Sequence, residues 1–461
     1  MRYAKLQPGW LLRGWADEPR TVGHWGRGDW RTVPEATFRV LLACDGVTDF
    51  DDRPDVFRQH LILRRLIQEG IAGECDYGDS PEPYQLYRQA PNPYIRTVQW
   101  AVTGRCNLRC SFCYMESPDG RFAEPPLAEM ITIMDQLAAA NVHQVSLTGG
   151  EPFVHPDLLE IMAALARRQI AVTRIFSNGV LITPEALQAI KELGFLPVFQ
   201  ISFDGCGTHD TMRGTAGVEK AAIEAIRLLR GHGFAVSVVT CLDKTNAGSL
   251  TPTYELLKDL TVRSWKITPL RHLGGGRKSS ALTPGDVLAA CAPVATRWNL
   301  DGRPFGIQMA GYSSGDDPRN ETRYTPDSYD CQYCRQSCSL LPDGTVIPCP
   351  DYTDAPWLGD LPNVLRQSFS SIWRRSLLRD IIDIKKKDIL AANTECQACR
   401  HFSLCGGGCR GLAVAATGQV LGIDHRYCGM VKADCRGQFI QAAKLHEPAR
   451  QNEPPLIGTT L

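Results

Sequence analysis

The sequence predicts an α/β protein in which a partial (β/α)6 barrel lies between a small N-terminal α+β domain and a loop-rich C-terminal domain. Strand-like and helix-like segments alternate through the middle of the chain, strand-like runs and then helical patterns precede them, and cysteines and loop-forming residues dominate the C-terminal part. Such alternation predicts a parallel sheet with its chemistry at the carboxyl ends of the strands. The predicted boundaries are residues 1–90, 94–300 and 329–440, with a disordered tail at 441–461.

Each element of the barrel is predicted from its apolar pattern. The candidate strands are residues 98–103, 144–148, 173–177, 199–203, 235–241 and 265–269. The candidate helices between them are residues 127–140, 157–168, 184–193 and 217–232. In the first domain, strand-like runs at 9–15 and 21–25 precede helical patterns at 36–42 and 56–69.

Composition excludes several classes of protein. The 461 residues include 50 Lys+Arg and 50 Asp+Glu, and 43% are hydrophobic, which excludes global disorder. The zero net charge argues against nucleic acid as the main partner. A run of apolar residues long enough to span a membrane is lacking, and the N-terminus has no secretion signal. A cytoplasmic protein is therefore expected.

The 18 cysteines are the unusual feature of this composition. Without an export signal they indicate metal ligation rather than disulfides. Three of them, Cys106, Cys110 and Cys113, follow the first barrel strand with C-x3-C-x2-C spacing. Three thiolates on one loop can hold three irons of a cubane and leave the fourth iron open. Zinc, the main alternative, prefers four protein ligands, and no fourth lies nearby.

With this motif, and with the aromatic Phe112 before its last cysteine, the chain resembles the radical S-adenosylmethionine (SAM) superfamily. The resemblance implies a TIM-like partial barrel whose cluster reduces SAM by one electron. The products are methionine and a 5′-deoxyadenosyl radical that abstracts hydrogen from an unactivated carbon.

The resemblance also implies which residues bind SAM, all of them at or just beyond strand ends. Two glycines allow close backbone approach and a carboxylate accepts hydrogen bonds from an ammonium group, as expected for the segment that holds the SAM amino group. Short polar side chains suit its carboxylate and ribose, and an arginine suits its carboxylate. The residues are Gly149, Gly150, Glu151, Ser177, Asn178, Ser202, Asp204 and Arg213, and Phe112 of the cysteine loop is expected to contact SAM as well.

The C-terminal cysteines resemble the SPASM domain of radical SAM peptide maturases. The spacing C-x2-C-x5-C-x3-C is formed by Cys396, Cys399, Cys405 and Cys409, and Cys428 follows. Upstream, Cys331, Cys334 and Cys338 precede a Gly344-x4-Cys349 element that predicts a tight hairpin. The main alternative for Cys396–Cys409 is a zinc knuckle.

The SPASM resemblance implies two auxiliary [4Fe–4S] clusters, and therefore three in the chain. The first would take Cys349 and Cys409, together with Cys331 and Cys338. The second would take Cys396, Cys399, Cys405 and Cys428. With Cys334 the candidates number nine, one more than the eight that two clusters need, so the choice among Cys331, Cys334 and Cys338 stays open. Cys435 is expected to be a spare thiol.

Residues 1–90 resemble, more weakly, the winged-helix-like recognition element of such maturases. In that fold a leader peptide adds as an extra strand to an exposed sheet edge. The alternatives are a stabilising appendage or a DNA-reading winged helix, which the neutral charge disfavours.

Together these features predict an enzyme that oxidatively modifies a ribosomally synthesised precursor peptide, by thioether or carbon–carbon cross-link formation. The resemblance implies three partners: SAM, the leader of the precursor, and an electron donor such as flavodoxin or ferredoxin. Nucleic acid and membrane are not expected as partners. Oxidation of a residue on a folded protein, in the manner of a sulfatase maturase, oxidation of a small molecule and a non-enzymatic metal-binding module are the alternatives.

Overall fold

The computed structural model describes residues 2–26, 28–117, 120–278, 282–314 and 323–445. The tail predicted at 441–461 lies outside the described residues from position 446 onward.

Strands β2, β3, β4 and β6 of the N-terminal region form a sheet in the order β4-β3-β2-β6, and β1 pairs separately with β5. Trp10, Leu12 and Val22 on the sheet pack with Phe38 and Leu63 on two helices, which gives this region a hydrophobic core of its own. The elements are β1 (Ala4–Leu6), β2 (Trp10–Gly14), β3 (Thr21–His24), β4 (Asp29–Thr32), α1 (Glu35–Leu42), α2 (Val56–Gln68), β5 (Ala72–Glu74) and β6 (Arg88–Gln89).

The central sheet of the described residues has ten strands in the order β14-β13-β12-β11-β10-β9-β8-β7-β15-β16. Neighbours from β13 through to β15 run parallel, and the last strand at each edge is antiparallel. The strands are β7 (Thr97–Thr103), β8 (Gln144–Gly149), β9 (Ala171–Ser177), β10 (Val198–Ser202), β11 (Val236–Leu242), β12 (Ser264–Pro269), β13 (Gly306–Met309), β14 (Tyr312–Ser313), β15 (Ser337–Leu340) and β16 (Val346–Ile347).

Helices cover the outside of this sheet because alternate strand residues are apolar. On β7, Val98, Trp100 and Val102 are fully buried in the layer between sheet and helices, so the intervening Gln99 and Ala101 face the barrel lumen. The helices that follow β7 are α3 (Leu127–Ala139), α4 (Leu158–Arg167), α5 (Pro184–Glu192), α6 (His209–Arg213), α7 (Val218–Gly231), α8 (Leu250–Asp259) and α9 (Pro284–Leu300).

The C-terminal region consists mainly of short helices and loops. They are α10 (Gln332–Gln336), α11 (Phe369–Arg374), α12 (Leu377–Ile382), α13 (Lys386–Ala392), α14 (Thr394–Gln397), α15 (Phe402–Cys405), α16 (Arg410–Thr417), α17 (His425–Lys432) and α18 (Cys435–Ala442). Within the described ranges, no helix is long and apolar enough to cross a membrane.

The predicted α/β fold with a parallel sheet is confirmed, and all six predicted barrel strands are present within one or two residues of their predicted ends. Two further parallel strands flank them. One is β13, which follows α9, and the other is β15, which comes from the C-terminal region and hydrogen-bonds along β7. The predicted domain boundaries stay a prediction. Strand β15 of the C-terminal region pairs with β7, so one sheet contains strands from both predicted domains.

Candidate active site and iron–sulfur sites

The C-x3-C-x2-C loop begins three residues after β7 ends. Its three thiols are partly buried. Burial raises the pKa of Cys106 to about 11, and the neighbouring thiols of Cys110 and Cys113 contribute to the increase. The backbone N–H of Leu108 donates to the Cys106 Sγ at 3.4 Å, and the side chain of Asn178 approaches the same sulfur at 3.9 Å. Three neighbouring thiols, met by donors from the chain, fit a cluster with one open iron.

Glycines from the end of β8 hold the start of this loop. Gly150 N–H donates to the Thr103 carbonyl at 2.9 Å, and Glu151 N–H donates to the Arg105 carbonyl at 2.9 Å. A Cβ atom at Gly150 would lie 2.1 Å from the Arg105 carbonyl oxygen, so only glycine permits this approach. The Gly-Gly pair therefore positions the cysteine loop, in addition to the SAM contact predicted for it.

A second glycine segment supports the other end of the loop. Gly275 N–H donates to the Cys113 carbonyl at 3.0 Å, and a Cβ atom there would lie 2.4 Å from the Ser111 carbonyl oxygen. Gly274 N–H donates to Asp354 Oδ2 at 2.5 Å, which ties the same segment to the C-terminal region. Sequence reasoning missed this support, although the Gly-Gly-Gly run was its visible signal.

Glu151 links the ends of two neighbouring strands. Its carboxylate is 1% exposed and accepts hydrogen bonds from Ser177 Oγ at 2.8 Å and from Asn178 N–H at 2.7 Å. Phe153 N–H donates to it at 3.2 Å. Burial raises the pKa of Glu151 to about 7. The structure therefore brings three of the predicted SAM residues into one hydrogen-bonded group.

We expect SAM affinity to rise with pH up to about 7, because only the ionised Glu151 carboxylate can pair with the SAM ammonium group. Below that pH the affinity should fall by up to about tenfold per pH unit. Calorimetric titration of the anaerobically reconstituted enzyme with SAM measures this, and the Glu151→Gln variant should bind SAM weakly and without this pH dependence. An unchanged pH dependence in that variant would assign the titration to another group.

The same pKa has the opposite effect on folding. Between pH 4.5 and about 7 the native carboxyl holds a proton that the unfolded chain has released, so the contribution of Glu151 to stability falls as the pH rises.

Arg213 and Asp204 form a buried ion pair beside the cysteine loop. Arg213 Nε lies 2.7 Å from Asp204 Oδ2, and Arg213 Nη1 lies 3.7 Å from Cys110 Sγ. The Arg213 guanidinium also lies 5.2 Å from the centre of the Phe112 ring. Burial opposes the charge of Arg213, but Asp204 and the nearby thiols outweigh it and raise the pKa of the guanidinium. Asp204 accepts a further hydrogen bond from Cys241 N–H at 3.0 Å, so the chain contacts both of its carboxylate oxygens. Its predicted contact with SAM stays a prediction.

Ser202 ends β10 on the face opposite to the buried Phe199 and Ile201, which places it on the lumen side. Its predicted contact with SAM stays a prediction.

The first auxiliary set is centred on Cys334. The thiols of Cys331 and Cys349 lie within hydrogen-bonding reach of its thiol and, with burial, raise the pKa of Cys334. Gly344 has φ +84° in the turn between β15 and β16, so the hairpin expected to deliver Cys349 is present. Cys409 lies close by, with its Sγ 3.6 Å from Asp351 Oδ2. Burial raises the pKa of Cys409, and the charges of Asp351 and of the nearby Cys349 thiol raise it further.

Cys338 takes a different position. It lies on β15 opposite Val98, and it packs with Leu340 in the apolar layer between sheet and helices. Burial raises the pKa of its thiol well above the ordinary value. The geometry therefore favours Cys334 over Cys338 beside Cys331 and Cys349.

The second auxiliary set surrounds a single pocket. Cys396, Cys399, Cys405 and Cys428 all line one pocket, together with Phe402 and Ile423. Among the described residues, no three His, Cys, Asp or Glu side chains come close enough to hold one metal ion. A cubane takes one thiolate on each of four irons, so its ligands lie farther apart than those of a single metal ion.

Comparison with known families agrees with this geometry. Residues 100–257 match the radical SAM superfamily, and residues 331–400 match the SPASM iron–sulfur cluster-binding domain.

Three similar proteins illustrate the range of relatives. An AdoMet-dependent heme synthase of Methanosarcina barkeri is 28% identical over 72% of this chain and 96% of its own length. A PqqA peptide cyclase of Gluconobacter oxydans is 27% identical over 70% of this chain and 87% of its own. The structure of Streptococcus suis SuiB bound to its precursor peptide SuiA superposes with TM-score 0.64 at 14% identity, over 93% of this chain and 100% of that one.

The family matches and the thiol arrays identify the cofactors as iron–sulfur clusters and SAM. The chain is therefore an enzyme of the radical SAM superfamily that carries a SPASM domain.

Proposed function

We propose that this enzyme binds the leader of a ribosomally synthesised precursor peptide through residues 1–90 and oxidatively modifies its core, by thioether or carbon–carbon cross-link formation. The observation that carries this proposal is the open outer edge of β4. In the sheet order β4-β3-β2-β6, no strand of the described residues pairs with that edge. An open edge can accept an extended peptide as an additional strand.

The pairing of β4 with β3 indicates which backbone N–H groups of β4 are free to bond an added peptide strand. Val33 N–H donates to the Arg20 carbonyl at 2.9 Å, one residue beyond the paired Thr21 and Thr32. Because inward and outward groups alternate along an antiparallel strand, the N–H groups of Trp30 and Thr32 are directed to the open edge.

The N-terminal region also exposes several apolar side chains. Apolar side chains are unusually exposed in this region of the molecule: Phe57 on α2 is 78% exposed, Leu61 one turn later is 51% exposed, and Leu42 at the end of α1 is 44% exposed. Exposed apolar side chains grouped on one small domain are typical of an interaction surface.

Two comparisons support the proposal. The superposition on SuiB bound to SuiA covers 93% of this chain, so it includes most of the first 90 residues. The PqqA peptide cyclase, a relative of 27% identity, acts on a peptide according to its name.

Three [4Fe–4S] clusters belong to this proposal. The SAM-binding cluster is held by Cys106, Cys110 and Cys113, and it supplies the electron that cleaves SAM. Arg213 and Glu151 orient the SAM carboxylate and ammonium groups beside it. The first auxiliary cluster is held by Cys331, Cys334, Cys349 and Cys409, and the second by Cys396, Cys399, Cys405 and Cys428. A cytoplasmic flavodoxin or ferredoxin would provide the reducing electron.

Thr32→Pro tests the strand edge, because proline removes the outward N–H without removing a bond of the ladder with β3. We expect Thr32→Pro to weaken binding of the cognate precursor peptide by about tenfold or more, while Thr32→Ala binds it as the parent enzyme does. Fluorescence anisotropy of the labelled peptide measures the binding, and mass spectrometry detects loss of hydrogen from its core. Equal binding by both variants would exclude strand addition at β4.

Modification of a small molecule is the second candidate, favoured by the match to the heme synthase over 96% of that protein's length. It predicts that no co-expressed peptide changes mass and that Thr32→Pro leaves SAM turnover with the substrate unchanged.

A further inference from the structure

Three charged side chains are buried between the two auxiliary cysteine sets. Lys386 is 1% exposed and Arg410 is 3% exposed. Both contact the carboxylate of Asp330, whose side chain is 5% exposed: Lys386 Nζ lies 2.7 Å and Arg410 Nε lies 3.3 Å from its Oδ1. Lysine and arginine are rarely buried to this extent without a specific function or partner.

This group touches the chain segments that carry both sets. Asp330 directly precedes Cys331, and Arg410 directly follows Cys409, so both adjoin thiols of the first set. Lys386 Nζ donates to the Gly406 carbonyl at 2.9 Å, next to Cys405 of the second set.

Arg410 ties the two segments together. Its guanidinium donates to the carbonyls of Gly407 and Gly422, and Gly407 lies between Cys405 and Cys409. Gly406, Gly407 and Gly408 all have positive φ, so this short link between the two sets turns tightly around the buried cations.

The ion pairs of the described residues provide one acid, Asp330, for the two cations. A second buried acid, Asp424, lies nearby, but its carboxylate accepts hydrogen bonds from Cys409 N–H at 3.2 Å and Tyr427 N–H at 3.1 Å. Tyr427 belongs to the first turn of α17, and the N-terminus of that helix stabilises the negative charge of the Asp424 carboxylate. The two cations therefore share a single ion-pair partner, and Lys386, Arg410 and Asp330 together carry one net positive charge.

A [4Fe–4S] cluster with four thiolates is an anion, and its negative charge increases by one when [4Fe–4S]2+ takes up an electron to become [4Fe–4S]+. A buried cation stabilises the more negative state, and it does so more strongly than a surface charge because water and salt screen it less.

We propose that Lys386 and Arg410, held by Asp330, form an electrostatic bridge that raises the reduction potentials of both auxiliary clusters. This inference rests on the two clusters of the proposed function. The bridge makes both auxiliary clusters better electron acceptors.

The test is a redox titration followed by electron paramagnetic resonance. The Cys106→Ala/Cys110→Ala/Cys113→Ala full-length enzyme, reconstituted with iron and sulfide, shows only the auxiliary clusters. In this background Lys386→Met should make reduction of the auxiliary clusters at least about tenfold less favourable. That change lowers their one-electron reduction potential by about 59 mV. Asp330→Asn, which removes a negative charge, should shift the potentials in the opposite direction. Lys387→Met is the matched control, because Lys387 is 54% exposed and solvent screens its charge from the clusters.

Shifts of opposite sign in Lys386→Met and Asp330→Asn, with none in Lys387→Met, would support the bridge. A shift of the same sign in both, or one no larger than that of Lys387→Met, would overturn it. If Lys386→Met fails to retain its clusters, the sign of the Asp330→Asn shift decides. Iron content separates this result from failure of the proposed function, since the parent enzyme without auxiliary iron would refute the cluster assignment itself.

Discussion

Cys106→Ala is expected to reduce SAM cleavage to background. The thiol lies in the partly buried C-x3-C-x2-C loop, and its loss leaves two of three ligands for the SAM-binding cluster. Formation of 5′-deoxyadenosine by the anaerobically reconstituted enzyme with dithionite and SAM measures the effect. Iron content should fall by about four per chain while the auxiliary clusters remain.

The control for this experiment is Cys435→Ala. Cys435 is buried at the start of α18, where its Sγ lies 3.7 Å from the Pro284 carbonyl oxygen and outside all three cysteine sets. We expect the Cys435→Ala variant to cleave SAM at the rate of the parent enzyme. SAM cleavage by Cys106→Ala above the rate without enzyme would show that the radical cluster has been assigned to the wrong cysteines.

Asp204→Asn is expected to have the largest effect on stability. Asp204 is fully buried and Arg213 is 9% exposed, so removing the carboxylate charge leaves the guanidinium buried without its ion-pair partner. Breaking one side of a buried pair costs about 3–5 kcal/mol. The midpoint of urea unfolding should therefore fall with an unchanged slope, and SAM affinity should fall because Arg213 loses its orientation.

A double-mutant cycle distinguishes the ion pair from simple loss of packing. Arg213→Gln combined with Asp204→Asn removes both charges and should cost less free energy of unfolding than the sum of the two single substitutions. Additive costs would indicate that the two side chains are energetically independent and that Asp204 does not orient Arg213.

The choice between Cys334 and Cys338 shows how far the sequence alone could go. Spacing grouped Cys331, Cys334 and Cys338 because nearby cysteines can share a cluster. The structure separates them because α10 ends at Gln336 and β15 begins at Ser337, so strand alternation directs Cys338 to the same side as Leu340. The polar–apolar alternation of Ser337, Cys338, Ser339 and Leu340 was a signal that could have revealed this.

Asp204 shows the same limit for the SAM site. Its position at the end of the fourth predicted strand indicated a ligand contact, and that position is as expected. Its partners, Arg213 and the backbone of Cys241, come from a helix and from the neighbouring strand, and they occupy both carboxylate oxygens. A strand end can be predicted locally, whereas the partner of a buried charge depends on which segments meet there.

The sequence by itself determined the α/β class, the six central strands and the three cysteine motifs, and the resemblance of those motifs to a known family implied the chemistry. These features depend on local periodicity and on spacing along one loop, which the chain specifies directly. Only the tertiary structure decided that β15 extends the barrel sheet beside β7, that Cys334 faces Cys349, and that Lys386, Arg410 and Asp330 meet between the auxiliary sets. Those outcomes depend on contacts between residues far apart in the chain, where packing and the burial of charge select the partners.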